Sequence, residues 1–296
     1  MFGPTEHLIY GHHRSTDFIK FLRDLERLFL ETFDLGDDWV VVFVPGSGTT
    51  ANEIVLTSLD CQIMGEGIFT DRLRDLQRIM PIWTMLPLPD DSGGKRQLYG
   101  AVGYETAASN PTGMSLIGKG SSCFLDLVSA FPYYNVPDNC AVWTTVPCKQ
   151  LGSKPGFGIV VMRKWLADYI EEKDDRPDSV LCLGSYLRWR RRGMLPHTPP
   201  IFALESLRNN LLGFSLHAMR MRTDHRRIEL ETVVPEEHRI GEGPVFTFRE
   251  DSLPALLLRK WRLYIGALGP QAYLHHHGPW SDFVVDLACV DWGGVS

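Results

Sequence analysis

The segment that most constrains the fold of this chain begins with six consecutive apolar residues, 39–44. An unbroken β-branched and aromatic run of this length predicts a strand buried on both faces. The turn Pro45-Gly-Ser-Gly-Thr-Thr50 follows, and residues 54–59 then predict an apolar helix. Free N–H groups and the dipole at the start of such a helix attract an anion. The segment therefore predicts an α/β protein with an anion site at this turn.

Other interpretations of the same turn stay open. Gly46-x-Gly48-x-x-Ala51 matches the loose dinucleotide-binding fingerprint, but no acidic residue closes a second strand about 20 residues further on. A tight turn that binds no ligand fits these residues equally well.

A second pattern places lysines in a turn between two strands. Residues 143–146 and 158–162 predict the strands, and the glycines and proline between them predict a turn that contains Lys149 and Lys154. A lysine packed against backbone loses water, which lowers the pKa of its amine and makes it a nucleophile toward aldehydes. Either lysine fits this chemistry, and so does an ordinary exposed lysine with no catalytic role.

Asp126 ends the short apolar run Cys123-Phe-Leu-Asp. Ligands of α/β sheets bind at the carboxyl ends of the strands, so a carboxylate at this point is a candidate ligand contact. A helix cap or a structural hydrogen bond would explain the same residue.

Composition limits the class of protein. The 296 residues are enough for one or two domains, and the net charge of -6 argues against binding of polyanions by the whole surface. The six cysteines form no CxxC pair, which argues against a zinc ribbon or a disulfide framework. We find no signal-like start and no apolar run near the roughly 20 residues of a membrane span, and we therefore expect a cytoplasmic protein without a membrane partner.

The remaining pattern predicts two units, a large domain over 1–228 and a small α+β domain over 229–296. Apolar periodicity predicts helices over 18–30, 73–80 and 165–172, and one long helix from 201 to about 227. In the tail, strand-like runs at 245–248 and 283–288 flank a helix predicted over 256–265. The tract His275-His-His277 is interpreted as a polar loop, and no metal site is predicted.

Several short motifs stand in a characteristic order. They are His13-Arg-Ser15-x-x-Phe18, Gly46-Ser-Gly-Thr49, Gly67-Ile-Phe69-x-x-Arg72, Glu105-Thr106, Asp126-Leu-Val128-Ser129, Lys149 six residues before Pro155-Gly156, and His197-Thr198-Pro-Pro200. In this order they resemble the class V aminotransferases of the fold type I pyridoxal-phosphate (PLP) enzymes. The resemblance is nearest to the alanine–glyoxylate and 2-aminoethylphosphonate transaminases. It covers roughly the first two thirds of the chain, and it rests on the joint order of motifs that are individually loose.

The resemblance implies the fold of the type I PLP-dependent transferases. This is an α/β architecture, with a mostly parallel sheet of seven-stranded type in the large domain and a small C-terminal α+β lobe. It also implies that Lys149, rather than Lys154, forms the Schiff base with PLP and then shuttles a proton. Asp126 would pair with the ring nitrogen of the cofactor.

The remaining cofactor contacts are likewise implied by the resemblance. Phe69 and Val128 would cover the two faces of the ring, and Thr106 would bind near it. The residues implied around the phosphate are Ser47, Gly48 and Thr49. Thr198 would reach the phosphate held by a partner subunit, which implies a homodimer with shared active sites.

The chain departs from the family where a substrate carboxylate is usually bound. We find no arginine near 282–287 that matches the terminal clamp of the family, and Arg239 comes early for that role. Cys148 stands where the family usually has Gln or Asn, and Leu195 where a tyrosine is common.

Three functions follow from these observations. The resemblance implies a transaminase that acts on a small amine or an amino acid. The alternative is a PLP-dependent decarboxylase or lyase, whose phosphorylated or nucleic-acid-linked amine would meet the arginines at 188–192 and 220–227. Those arginines also suit a solvated helix face or a dimer rim. The third is a non-enzymatic or nicotinamide-binding α/β protein in which Lys149 is incidental.

Overall fold

The chain is described here by a computed structural model that covers residues 13–78, 85–89, 95–104, 117–118, 121–240, 243–249, 252–261, 263–266, 269–273 and 280–292. In these ranges the strands are Trp39–Gly46 (β1), Cys61–Ile63 (β2), Leu88–Pro89 (β3), Lys95–Arg96 (β4), Leu98–Val102 (β5), Cys123–Asp126 (β6), Cys140–Thr145 (β7), Gly156–Arg163 (β8), Arg239–Ile240 (β9), Val245–Phe248 (β10), Tyr264–Gly266 (β11) and Gly269–Tyr273 (β12). The helices are Thr16–Thr32 (α1), Gly48–Leu56 (α2), Ile68–Arg78 (α3), Lys164–Lys173 (α4), Leu183–Arg191 (α5), Ile201–Leu212 (α6), Leu216–Val233 (α7), Ala255–Trp261 (α8) and Trp280–Ala288 (α9).

Six of the described strands form the central sheet, in the order β1-β8-β7-β6-β5-β2. Strands β2, β5, β6 and β7 pair in parallel, and β8 lies antiparallel between β7 and β1. Five strands therefore run in one direction, and the predicted mostly parallel α/β sheet is confirmed. The carboxyl ends of β1, β6 and β7 meet at the same edge of the sheet, where β8 begins.

The dinucleotide-binding interpretation of the turn after β1 is wrong. That fingerprint belongs to a βαβ unit whose two strands are close neighbours in a parallel sheet. Here α2 leads to β2 at the opposite edge of the sheet, and the only strand paired with β1 in the described sheet is the antiparallel β8. The glycine turn therefore serves a different fold.

Helix α1 covers one face of the sheet with an apolar stripe. Ser15 caps its first turn, because the Ser15 hydroxyl accepts a hydrogen bond from the Phe18 amide at 3.2 Å. Apolar residues recur with the helical period, and Phe18, Leu25 and Phe29 are fully buried. Phe29 packs near Trp143 of β7, with 6.4 Å between ring centroids. Sequence periodicity thus located this helix to within two residues at each end.

The C-terminal lobe has its own sheet and its own apolar cluster. Strands β11, β12, β10 and β9 form an antiparallel sheet, in that order. The buried apolar residues of this lobe come from the end of α7, the sheet, the segment before α8, and α9. They are Leu230, Val234, Phe246, Phe248, Leu253, Ala272, Phe283 and Leu287. Helix α7 runs without a break across residues 228 and 229. The domain boundary predicted between these two residues stays a prediction.

Three predictions of element type or length in the second half of the chain are wrong. Residues 283–288 lie in α9 and not in a strand, because Phe283 and Leu287 are four residues apart and both buried while Val285 is exposed. The long helix predicted from 201 to 227 is two helices, because α6 ends at Leu212 with Gly213 as its C-cap, and the Ser215 hydroxyl caps α7. The helix predicted over 256–265 ends at Trp261, and residues 264–266 form β11.

None of the described helices is both long enough and apolar enough to cross a bilayer.

Candidate active site

A cavity of about 410 Å³ opens at the edge where β1, β6 and β7 end. This volume falls within the roughly 300–1,000 Å³ of small-molecule sites. Its walls come from the turn after β1, from α2 and α3, and from the segments after β6 and β7. The lining residues are Gly46, Ser47, Gly48, Thr49, Asn52, Phe69, Arg72, Leu73, Leu76, Asp126, Val128, Val146, Cys148, Lys149, Pro155, Gly156 and Phe157. Seven of the predicted site residues therefore meet in one place.

The turn after β1 presents the start of α2 to this cavity. Ser47 is the N-cap, and it exchanges hydrogen bonds with Thr50, whose side chain accepts from the Ser47 amide at 3.2 Å. These bonds hold the turn in one shape. The first N–H groups of α2 and its positive dipole end then face the cavity, as an anion requires.

Gly48 allows α2 to approach the sheet closely. A β-carbon at position 48 would lie 2.7 Å from a methyl group of Val128 and 3.1 Å from one of Val146. Gly158 of β8 has the same function on the other side of the turn, since a β-carbon there would lie 2.6 Å from the Ser47 carbonyl oxygen. Because only glycine fits at both positions, these glycines set the shape of the candidate anion site.

Asp126 lies buried at the base of the cavity within a network of hydrogen bonds. The Asn52 amide donates to one carboxylate oxygen at 2.6 Å, and the Val128 amide donates to the other at 2.9 Å. The hydroxyl of Thr144 in turn donates to the Asn52 side-chain oxygen. Burial raises the pKa of Asp126, while the two hydrogen bonds and the nearby Lys149 ammonium act in the opposite direction. A carboxylate held in this way is suited to a cationic N–H partner inside the cavity.

Lys149 follows β7 in a turn that places its amine in the cavity. The amine donates a hydrogen bond to the Ser129 hydroxyl at 2.9 Å. Burial lowers the pKa of Lys149, and Asp126 and Cys148 partly offset this by favouring the charged form. Lys154 is exposed and does not line the cavity. Of the two lysines that the sequence left open, the structure places Lys149 beside Asp126.

Phe69 and Val128 both contribute apolar surface to the cavity. Phe69 lies in the first turn of α3, and the Lys149 amine is 6.0 Å from the centroid of its ring. Val128 follows β6 and packs against α2 at Gly48. A flat ring placed between Asp126 and Lys149 would therefore touch apolar side chains.

One described residue of the predicted site, Thr198, does not line this cavity. Thr198 is exposed in the segment between α5 and α6, and Pro200 of the same segment lies 3.4 Å from the β-carbon position of Gly156. Thr106 lies outside the described residues, and so does the tract His275-His-His277. Arg239 lies on β9 and does not line the cavity.

Sequence reasoning did not assign a role to Asn52, Arg72 or Cys148, all of which line the cavity. Asn52 follows Gly48 by one helical turn, and a polar residue on the buried side of an apolar helix was the available signal. Arg72 follows Phe69 by three residues on α3, so both side chains lie on the same side of the helix. Arg72 is exposed at the cavity mouth, and within the described residues it makes no ion pair or hydrogen bond.

Most arginines at 188–192 and 220–227 contact other residues of the same chain. Arg190 pairs with Glu26 of α1, and Arg191 pairs with Glu171 at 2.7 Å. The other described contacts run from Arg188 to the Asp174 carbonyl at 2.7 Å, from Arg220 to the Asn135 side chain at 2.7 Å, and from Arg226 to the Trp280 ring at 4.7 Å. These contacts give the cluster a structural explanation and weaken the nucleic-acid interpretation.

The whole described fold is similar to solved aminotransferase structures. A phosphoserine aminotransferase from Cytophaga hutchinsonii matches with a TM-score of 0.69 at 15% identity, over 94% of this chain and 89% of that chain. An alanine–glyoxylate aminotransferase from Nostoc sp. matches with 0.66 at 17% identity, over 93% and 88%. A PLP-bound phosphoserine aminotransferase from Trichomonas vaginalis matches with 0.67 at 12% identity, over 94% and 89%.

These likenesses confirm the predicted fold, that of the fold type I PLP-dependent aminotransferases. No protein-family model matches the chain, and none of the curated proteins matches it. Identities of this size establish the fold alone.

Proposed function

We propose that this protein is a PLP-dependent aminotransferase in which Lys149 holds the cofactor covalently. The observation that carries the proposal is the meeting of three chemical groups in one cavity. These are the Lys149 amine with its lowered pKa, the buried Asp126 carboxylate, and the N-terminus of α2. Each matches one part of the cofactor, namely its aldehyde, its ring nitrogen and its phosphate.

The residues present fit the cofactor. Ser47, Thr49 and the first backbone N–H groups of α2, all at the cavity wall, would hold the phosphate, and Gly48 lets this helix start pack closely enough to present them. Phe69 and Val128 provide the apolar contacts for the ring, and Thr106 is proposed to bind near it. When bound, PLP supplies an aldehyde that condenses with amines and a ring that accepts negative charge from the neighbouring carbon.

The residues of this chain would then divide the remaining work. Asp126, fixed by Asn52 and Val128, would keep a proton on the ring nitrogen. Lys149 would act as nucleophile toward the aldehyde and afterwards move a proton at the substrate carbon. The low pKa of its amine suits both tasks, because more of it is neutral at neutral pH.

The test of this function is a screen of amino donors with the cofactor-loaded protein. We expect at least one donor to convert the bound cofactor to its amine form, with a change in absorbance and release of the keto or aldehyde product. The proposal would be contradicted if the protein bound no PLP, or if none of the donors tested changed the absorbance of the bound cofactor. Release of CO2 without such a product would instead favour the decarboxylase alternative.

Arg72 favours the aminotransferase over that alternative. Its exposed guanidinium at the cavity mouth is suited to a carboxylate that must be held and not lost. We therefore propose that the substrate is an amine that bears an anionic group, and that Arg72 binds this group.

Arg72→Gln should raise KM for a donor such as alanine about 10- to 100-fold, the range for a lost hydrogen bond to a charged group. A carboxylate-free amine such as ethylamine should be unaffected. Steady-state kinetics on both donors would measure this difference. The matched control is Arg78→Gln on the same helix, since Arg78 pairs with Asp75 and does not line the cavity. Equal losses on both donors would contradict the role of Arg72.

We also propose a homodimer in which Thr198 reaches the active site of the partner. Thr198 is exposed and does not line the cavity of its own chain, and Pro200, two residues further on, packs against Gly156 of the cavity wall. We expect sedimentation analysis to give a dimer, and we expect Thr198→Ala to weaken cofactor binding without changing that state. A fully active monomer would contradict this arrangement.

A further inference from the structure

Two side chains tie the Lys149 turn to other parts of the molecule. Asn210 of α6 donates to the carbonyl oxygens of Leu151 at 3.1 Å and Gly152 at 2.8 Å. Gln150 donates to the carbonyl oxygens of Ser129 at 3.1 Å and Pro244 at 3.2 Å. Asn210 thus anchors the turn within the large domain, whereas Gln150 connects it to the segment that leads into β10 of the C-terminal lobe.

The Gln150 side chain is buried where it makes this connection. It is 1% exposed and lies next in sequence to Lys149. On the lobe side, Gly243 has a φ of 128° and packs so closely on Tyr104 that a β-carbon there would lie 2.4 Å from the ring. The Pro244 carbonyl is therefore held by its neighbour in sequence, so Gln150 reaches a defined acceptor.

Ser129 connects this contact to the reactive amine. Its carbonyl oxygen accepts from Gln150, and its hydroxyl accepts from the Lys149 amine at 2.9 Å. The lobe, Gln150, Ser129 and Lys149 consequently form one continuous chain of contacts. A shift of the lobe at Pro244 would move the turn that determines how deeply the amine is buried.

We propose that Gln150 is a positioning residue that couples the placement of the C-terminal lobe to the environment of the Lys149 amine. The importance of that amine rests on the function proposed above, but the coupling is a property of the chain without cofactor. Loss of the Gln150 amide leaves two buried carbonyl groups without this donor, and the turn or the lobe must move to regain partners. The amine then gains water, and its pKa moves toward the ordinary value for lysine.

The first test measures the pH dependence of acetylation at Lys149 in the full chain without cofactor, by mass spectrometry, with Lys154 as internal reference. Gln150→Met keeps the length of the side chain and removes the donors. We expect the midpoint for Lys149 to rise, which reduces its labelling below the midpoint about tenfold for each pKa unit. The pH midpoint of acetylation reports the pKa even if the amine becomes more accessible, because greater accessibility changes the maximal acetylation rate at high pH instead.

The charged groups around Lys149 stay unchanged in this variant. Asp126 from β6 and Cys148 from the turn act on its charge, and Arg72 from α3 lines the same cavity. A shifted midpoint would therefore report the placement of the amine and not a new neighbouring charge.

The matched control is Asn210→Leu, which loosens the same turn without touching the lobe. A second measurement, amide hydrogen exchange at residues 245–248, separates the two variants. We expect faster exchange there in Gln150→Met and no change in Asn210→Leu. If both variants shift the Lys149 midpoint equally and leave β10 unchanged, the coupling is overturned. The same holds if Gln150→Met leaves the midpoint where it is in the wild type.

Gln150→Asn covers the case in which Gln150→Met does not fold. It keeps the amide, but its shorter side chain cannot reach both carbonyls. We expect it to shift the Lys149 midpoint in the same direction by a smaller amount, and an unchanged midpoint in a folded Gln150→Asn would overturn the proposal. Neither readout requires turnover, so failure of the aminotransferase proposal would leave this result interpretable.

Discussion

Lys149→Ala is expected to abolish conversion of amino donors, with a fall in rate of at least ~10³-fold, within the range for loss of a positioned acid–base group. The reason is that one amine serves two tasks in the proposed mechanism. It would attack the aldehyde of the cofactor, and it would later move the proton at the substrate carbon. Removing it leaves the cavity walls intact, so the protein should still fold.

Borohydride reduction of the PLP-loaded protein provides the direct measurement. We expect a stable mass increase on the peptide that contains Lys149 in the wild type, and none in Lys149→Ala. Lys154→Ala is the matched control, because Lys154 is exposed five residues further on and does not line the cavity. A mass increase on Lys154, or full activity in Lys149→Ala, would rule out the assignment.

Asp126→Asn is expected to lower the rate by about 10²–10³-fold, the effect of losing one preorganised electrostatic partner. The amide has nearly the same shape as the carboxylate but carries no charge to hold a proton on the ring nitrogen. The new amide would also place its NH2 group opposite the N–H of Asn52 or of Val128, because each of these donates to one oxygen of the present carboxylate. Steady-state kinetics and titration of cofactor binding would measure both consequences.

The stability of Asp126→Asn should depend on pH in a defined direction. Burial raises the folded-state pKa of Asp126 above its unfolded value, so its contribution to stability is full below the unfolded pKa and is lost as pH rises through the folded pKa. Without cofactor, the wild type should therefore lose stability as pH rises above about 4, and Asp126→Asn should lose less.

Denaturant titrations across this pH range, with and without PLP, would test that direction. We expect PLP to stabilise the wild type more than Asp126→Asn, because the cationic ring nitrogen offsets the buried charge. Asp75→Asn is the control, since Asp75 pairs with Arg78 on the surface of α3. Identical pH profiles for wild type and Asp126→Asn would show that the Asp126 carboxylate does not titrate in this range.

Much of the candidate site followed from short local patterns. The apolar run at 39–44 and the glycines after it predicted β1, the turn and α2, because strand formation and helix capping depend on neighbouring residues. The same holds for Asp126 at the end of β6 and for Lys149 between β7 and β8. Local pattern was misleading in the tail, where the apolar run at 283–288 is compatible with a strand and with a helix. Packing of this run against α7 and the lobe sheet favours the helix.

Contacts between distant segments could not be obtained in this way. Asn52 and Asp126 are 74 residues apart, and Gln150 and Pro244 are 94 apart, yet both pairs share a hydrogen bond. Nothing in the residues around Gln150 distinguishes it from an ordinary polar turn residue. Arg190 and Arg191 show the converse, since side chains that look free in the sequence pair with Glu26 and Glu171, which the fold brings near them.

The sequence by itself determined where the chemistry-bearing residues stand and which elements carry them, because those preferences act over a few residues. Tertiary structure alone decided which polar groups fix the Asp126 carboxylate and how the lobe contacts the lysine turn. It also brought Lys149, which the resemblance had favoured over Lys154, into one cavity with that carboxylate. The physical reason is that sheet order is set by burial of the whole core. Strands far apart in the chain thereby become neighbours, and burial then changes the pKa values of Lys149 and Asp126.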